Sequence, residues 1–217
     1  MLIQSSHSLP DRGLDAYFTP ACATLSLLAI ETIPSGLVWE PAAGNGAISK
    51  ILKSHNLRVF SSDIADYGNP NVRSGLDYLR TSPFEANPFG PFEANPFGLI
   101  ITNPPYRLAE QFIKKAIDEV PYSAFLLRTN FLESTSRLPL FRSNPPVRVH
   151  VSSRRLPMMH RHGWTGPEAP SNTCFAWFIW DSTTPNQTTT PNQTTTLHWF
   201  DWADHVKQNI DVIETGI

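Results

Sequence analysis

Residues 36–55 read GLVWE-PAAGNG-AISKILKSH. The first five are short, apolar and end at a run of small residues, which is the pattern of a buried strand. Ile48, Ile51 and Leu52 recur at helical spacing over residues 47–55. Between them lies Glu40-Pro41-Ala42-Ala43-Gly44-Asn45-Gly46. Strand, glycine turn and helix in that order let a ligand approach the backbone at a helix N-terminus. The turn alone is a weak signal. A dinucleotide fingerprint needs a third small residue at position 49, and Ser49 is only a partial match.

The same alternation continues outward. Residues 57–61 (LRVFS) form a second predicted strand, and residues 99–102 (LIIT) a third, cut off by Pro104 and Pro105. Residues 108–120 carry an apolar stripe at helical spacing, and residues 124–127 (AFLL) read as another strand. Strands alternating with helices imply a parallel sheet covered on both faces. Residues 148–151, 174–180 and 197–202 are further candidate strands with no clear helix between them, so some antiparallel pairing is expected.

The strand ends carry the chemistry. Glu40 is a carboxylate at the end of the first strand, a poor neighbour for a pyrophosphate. It suits a cation bearing an ammonium and a sulfonium, which favours S-adenosylmethionine over a dinucleotide. Asp63 ends the second strand, where it can accept hydrogen bonds from both hydroxyls of a ribose, with Ile64 packing on the adenine. Asp77 can accept from the adenine amino group and Tyr78 can cover its face. A helix N-cap is the competing reading of Asp77.

Asn103-Pro104-Pro105-Tyr106 follows the third strand directly. Two prolines there force a rigid extended turn at the sheet edge where ligands bind. An amino group conjugated to a ring or carbonyl has a delocalised lone pair and is a poor nucleophile. The Asn103 side-chain oxygen and the Pro104 carbonyl can accept its two N–H bonds, aligning the nitrogen and shifting its lone pair towards attack. Tyr106 can stack on the planar group. By itself the tetrapeptide can also be an ordinary turn.

These motifs together resemble class I S-adenosylmethionine-dependent methyltransferases, specifically the amino-methyltransferases with an NPPY motif and their small phage- and prophage-type DNA adenine members. EPAAGNG, SSDI and DYL look like the three cofactor motifs, and NPPY like the catalytic one. Tyr17-Phe18-Thr19-Pro20 resembles the segment before the cofactor strand in DNA adenine methyltransferases, so Tyr17, Thr19 and Pro20 would line the methionine end. A plain helix start at Thr19-Pro20 is the alternative. By the same likeness Pro41, Ala42, Gly44 and Gly46 would complete the cofactor loop. The implied fold is Rossmann-like, a seven-stranded, mostly parallel sheet with an antiparallel strand near one edge and helices on both faces. The chain departs from many DNA members in having no room for a separate target-recognition domain.

Bulk properties narrow the partners. The length of 217 residues favours one domain, residues 1–217. A net charge of −2 is low for a protein that holds DNA mainly by its phosphates, so nucleic-acid contact is local or the acceptor is something else. The one basic stretch, residues 148–162, offers Arg154 and Arg155 for phosphates, with Trp164 just beyond it for stacking, or else is a solvated face. Its histidines, His150, His160 and His162, are not read as a metal site. Cys22 and Cys174 make no metal spacing or disulfide framework, which fits a reducing cytoplasm. No run is long and apolar enough to span a membrane. PFEANPFG occurs at 83–90 and again at 91–98, and TPNQTT at 184–189 and 190–195, both read as duplications inside loops. The leading expectation is methylation of adenine N6 in DNA, the base being flipped from the helix. A protein glutamine amide, a ribosomal RNA base, or a cofactor-binding module without activity are the alternatives. The oligomeric state is open.

Overall fold

The strands β1 (Leu37–Glu40), β2 (Arg58–Ser61), β3 (Phe97–Thr102), β4 (Tyr122–Arg128), β5 (Arg148–Ser152), β6 (Phe175–Asp181) and β7 (Thr196–Phe200) form one sheet in the order β2-β1-β3-β4-β6-β5-β7. The structure, a computed structural model, describes residues 18–90, 95–158, 173–183 and 194–206. β2, β1, β3 and β4 pair in parallel. β6 runs against both β4 and β5, while β7 lies parallel to β5 at the edge. The Rossmann-like fold class read from the sequence is the one observed.

Both faces of the central strands are buried, which is why β1, β3 and β4 carry mostly continuous apolar runs rather than alternating ones. Helix α1 (Ala21–Ile30) and α2 (Ala47–Ser54) cover one face, where Leu27, Ile48 and Leu52 meet Val38, Leu99, Ile101 and Leu126. Helix α4 (Ala109–Glu119) covers the other, packing Phe112, Ile113 and Ala116 against Trp39, Ile100 and Phe125. Successive strand residues point to opposite faces, so Val38 and Trp39 belong to different halves of the core. Short helices α3 (Pro83–Ala86), α5 (Leu138–Ser143) and α6 (Trp202–Val206) complete the described α-helices.

Several sequence expectations change. The PFEANPFG repeat is not confined to a loop. Its first copy forms α3, where Ser82 and Glu85 make a capping box and Pro83 and Ala86 are buried. Its second copy gives Phe97 and Gly98 to β3. Phe97 is 3% exposed and stacks on Trp39 at 4.7 Å and Phe60 at 5.7 Å. Residues 91–94 of that copy, and 184–193 of the TPNQTT repeat, lie outside the described residues. The last strand stops at Phe200, because Trp202 already opens α6.

The basic stretch also divides. Arg148 and His150 belong to β5 and turn into a buried ion cluster. Arg148 donates to Glu31 at 2.7 and 3.0 Å and to Asp181 at 2.9 Å, and His150 meets Glu31 at 2.5 Å. Strand alternation directs them inward, so they are not a solvated face.

Candidate active site

The carboxyl ends of β1, β2 and β3 open onto a cavity of about 210 Å³. Parallel strands end on the same edge, and the turns that follow them converge there. The cavity wall includes Thr19, Glu40, Pro41, Ala42, Gly44, Asp63, Ile64, Asp77, Tyr78 and the whole of Asn103-Pro104-Pro105-Tyr106. Residues separated by more than eighty positions in the chain thus face one space. Pro20 stands next to Thr19 as the N-cap of α1, and Gly46 is the N-cap of α2 just behind the glycine turn. Tyr17 and Trp164 lie outside the described residues, as do His160 and His162.

The turn after β1 needs its glycines. Gly44 has φ +55° and Gly46 φ +82°, a region that L side chains avoid. A Cβ on Gly44 would press on the Phe18 ring at 3.3 Å, and one on Gly46 would meet Asn69 Nδ2 at 2.7 Å. Asp63 holds this turn in place. Its Oδ2 accepts from Gly44 N at 2.8 Å and its Oδ1 from Ala65 N at 2.9 Å. The carboxylate therefore shapes the cradle as well as facing it.

Glu40 is 1% exposed. Its Oε2 accepts from the Ser49 backbone N–H at 2.9 Å and from the Ser49 hydroxyl. Burial pushes its carboxyl up to about 8, the Asp63 charge adds to this, and the Ser49 hydrogen bonds oppose it. Ser49, a partial match to a dinucleotide fingerprint, is instead the partner of this acid.

Asp77 forms the head of a tight turn. Its Oδ1 accepts from Leu79 N at 3.0 Å, and its carbonyl accepts from Arg80 N and Thr81 N. No helix follows directly, so Asp77 is not the helix N-cap of the competing reading; its carboxylate steadies its own turn, on a residue that also faces the cavity. Tyr78 is 1% exposed, set edge-on to Trp39 at 5.0 Å, and donates its hydroxyl to Glu119 Oε2 at 3.2 Å. It reaches the cavity only from inside the core. Ile64, 56% exposed, has the accessible surface for stacking.

After β3, Pro104 is buried, and Leu108 N donates to Pro105 O at 2.9 Å, which turns the chain into α4. Asn103 Nδ2 donates to Thr19 Oγ1 at 3.1 Å. That bond fixes the amide plane and assigns its oxygen the acceptor role. The Arg128 guanidinium lies 4.1 Å from the centre of the Tyr106 ring. Sequence reading missed Phe18 and Tyr67 of the cavity wall, and Arg128, which does not line the cavity but packs on Tyr106. Phe18 lay within the Tyr-Phe-Thr-Pro segment and was passed over. Tyr67 and Arg128 carried no local signal.

Arg154 and Arg155 do not line the cavity. Arg154 Nε pairs with Asp201 at 2.8 Å, and Trp202 Nε1 donates to the Arg155 carbonyl at 3.1 Å. Among the described residues no group of three or more His, Cys, Asp or Glu is placed to hold a metal, and no helix is long and apolar enough to cross a membrane.

No protein-family model matches the chain, and no curated protein matches it. Solved structures do. A chain described as a modification subunit of a type I restriction enzyme from Vibrio vulnificus matches with a TM-score of 0.52 at 11% identity, over 93% of this chain and 53% of that one. A chain described as an RNA methyltransferase from Pyrococcus horikoshii matches with a TM-score of 0.53 at 12% identity, over 77% of this chain and 87% of that one. This chain thus spans about half the length of the Vibrio protein and most of the Pyrococcus one. At these identities the likeness is one of fold, and that fold is the Rossmann-like fold of methyltransferases.

Proposed function

We propose that the chain transfers a methyl group from S-adenosylmethionine to a planar exocyclic amino nitrogen, with adenine N6 in DNA as the leading acceptor. One observation carries this reading. A single cavity gathers Glu40, Asp63 and Asp77 on one side and Asn103-Pro104-Pro105-Tyr106 on the other.

The residues present fit the cofactor. Glu40 is a buried acid that a bound cation would turn into a carboxylate. Asp63, already accepting two backbone N–H groups, has lone pairs left for a ribose diol. Ile64 offers apolar surface to an adenine, and the glycine turn admits close backbone approach. Bound there, S-adenosylmethionine supplies an electrophilic methyl group attached to a sulfonium.

The acceptor side does the positioning. The Asn103 side-chain oxygen and the Pro104 carbonyl accept the two N–H bonds of the amine, drawing its lone pair out of conjugation. Thr19 holds the Asn103 amide in the orientation this needs. Tyr106 supports the plane of the acceptor. None of the four residues is a base at neutral pH. The nitrogen gives up its proton to water after the new bond forms, when it has become strongly acidic.

The descriptions of the two structural neighbours, one from a restriction enzyme and one an RNA methyltransferase, support a nucleic-acid acceptor. The second makes an RNA base the alternative to DNA. The test is transfer of labelled methyl from S-adenosylmethionine to purified DNA, RNA and protein fractions, by the wild type and by Asn103→Ala. Labelling of DNA by the wild type alone is expected. Labelling only of RNA or only of protein moves the acceptor. No labelling, with the cofactor still bound, overturns the reading in favour of a binding module.

A further inference from the structure

Arg128 is the last residue of β4, the strand that pairs directly with β3 and its Asn-Pro-Pro-Tyr turn. Its guanidinium lies over the Tyr106 ring at 4.1 Å, and its Nε is buried with no hydrogen-bond partner among the described residues. A buried charged donor without an acceptor is costly and uncommon, and calls for a partner that the described residues do not supply. Arg137, Arg148 and Arg154 do not share this state. Arg137 spends its donors on the carbonyls of Phe131, Asn130 and Glu133, Arg148 on Glu31 and Asp181, and Arg154 on Asp201.

The charge around the cavity is uneven. Asp63 and Asp77 lie on the β1 and β2 side, while Arg128, outside the cavity wall itself, stands beyond β3 on the β4 side against Tyr106. An anionic strand is repelled from the first side and drawn to the second. A guanidinium can stack through its face and donate from its edge at the same time, and its fork matches phosphate oxygens. We infer that Arg128 binds a phosphate of the strand carrying the acceptor base, next to the base that Tyr106 supports, while its plane holds the Tyr106 ring in position. This inference rests on the proposed function and goes beyond it by assigning the phosphate contact to Arg128 rather than to Arg154 and Arg155.

The experiment measures methyl transfer to a DNA duplex and to an RNA oligonucleotide against salt, for wild type, Arg128→Gln and Arg128→Lys, with S-adenosylhomocysteine affinity as the check on the cofactor site. For Arg128→Gln the expected result is a KM raised about tenfold and a salt slope of log kcat/KM reduced by about one, with unchanged S-adenosylhomocysteine binding. Arg128→Lys keeps the slope and loses turnover, because a lysine carries the charge without the stacking plane. An unchanged slope in Arg128→Gln overturns the inference and leaves the proposed function standing. A wild type that labels neither DNA nor RNA overturns both. A second measurement needs no variant. Phenylglyoxal modification of Arg128 in the wild-type protein, read by peptide mass, should be slowed by the oligonucleotide and not by S-adenosylhomocysteine. Equal rates with and without oligonucleotide would remove Arg128 from the substrate path.

Discussion

Glu40 ends β1 with its carboxyl buried and its pKa pushed up to about 8 by that burial. Below that pH it is protonated, and a cation bound beside it favours the ionised form. Binding of S-adenosylmethionine should therefore release a proton, and affinity should rise with pH up to about 8 and then level. Stability runs the other way. The folded pKa is raised above the unfolded value of about 4.3, so the contribution is full below that pH and is lost as pH rises through about 8. Calorimetry and thermal melts between about pH 5 and 9 check both trends. Glu40→Gln should flatten them, and parallel profiles in the two proteins would mean that another group titrates. Asp63→Ala loses the proposed ribose contact and the Gly44 clamp together, so cofactor affinity should fall by about 1–3 kcal/mol. Unaltered affinity by calorimetry would take Asp63 out of the site. Asn103→Ala should keep its cofactor affinity and lose about 10²–10³ in turnover. Near wild-type turnover at saturating cofactor would exclude the proposed chemistry. Tyr106→Phe should cost less than Tyr106→Ala, since the ring rather than the hydroxyl does the stacking.

At the scale of elements, the duplicated PFEANPFG splits one sequence between two roles. The first copy makes the capped turn of α3 and the second opens β3. Removing either copy yields the same chain, with Ser82 still before Pro-Phe-Glu-Ala and Phe-Gly still before Leu-Ile-Ile-Thr. The single copy keeps the strand entry, so the fold should survive with a melting temperature lowered by no more than about 8 °C. A larger loss means that α3 must dock where only the longer connection lets it. Phe97→Ala is the contrast. It empties a stacked position between Trp39 and Phe60 and should cost about 3–5 kcal/mol. The unit β1-turn-α2 and the apolar strands were legible because their periodicity is local. Of helix α1 only the start at Thr19-Pro20 was legible, since its residues are buried almost all round and leave no stripe to read. The repeat misled for a related reason. Its Pro, Asn and Gly describe a loop composition, while a capping box and one aromatic decide what each copy does.

Across the whole molecule, Glu31 after α1 joins Arg148, His150, Asp181 and Tyr122 in an ion cluster on the sheet edge opposite the cavity. Burial pushes the Glu31 carboxyl up, but hydrogen bonds from His150 and Arg148 outweigh it and hold it below the usual carboxylate range. Arg148→Ala leaves a buried acid without its main partner and should cost about 3–5 kcal/mol. Melting should fall by roughly 6–20 °C, while activity per folded molecule stays unchanged. Lost activity in the folded variant would show that the two edges communicate. The sequence by itself determined the strand-turn-helix units and which turns meet at one edge, because apolar period, glycine and proline act over a few residues. It also determined the residue types at the strand ends, and with them the chemistry the cavity can hold. Only the tertiary structure decided that burial raises the Glu40 pKa, that Tyr78 belongs to the core, and that Asp63 clamps Gly44. It also turned Arg148 and His150 into the core and set Arg128 over Tyr106. Those outcomes depend on burial and on partners far along the chain, as with Arg148 and Glu31 at a separation of 117 residues, and no local pattern encodes them.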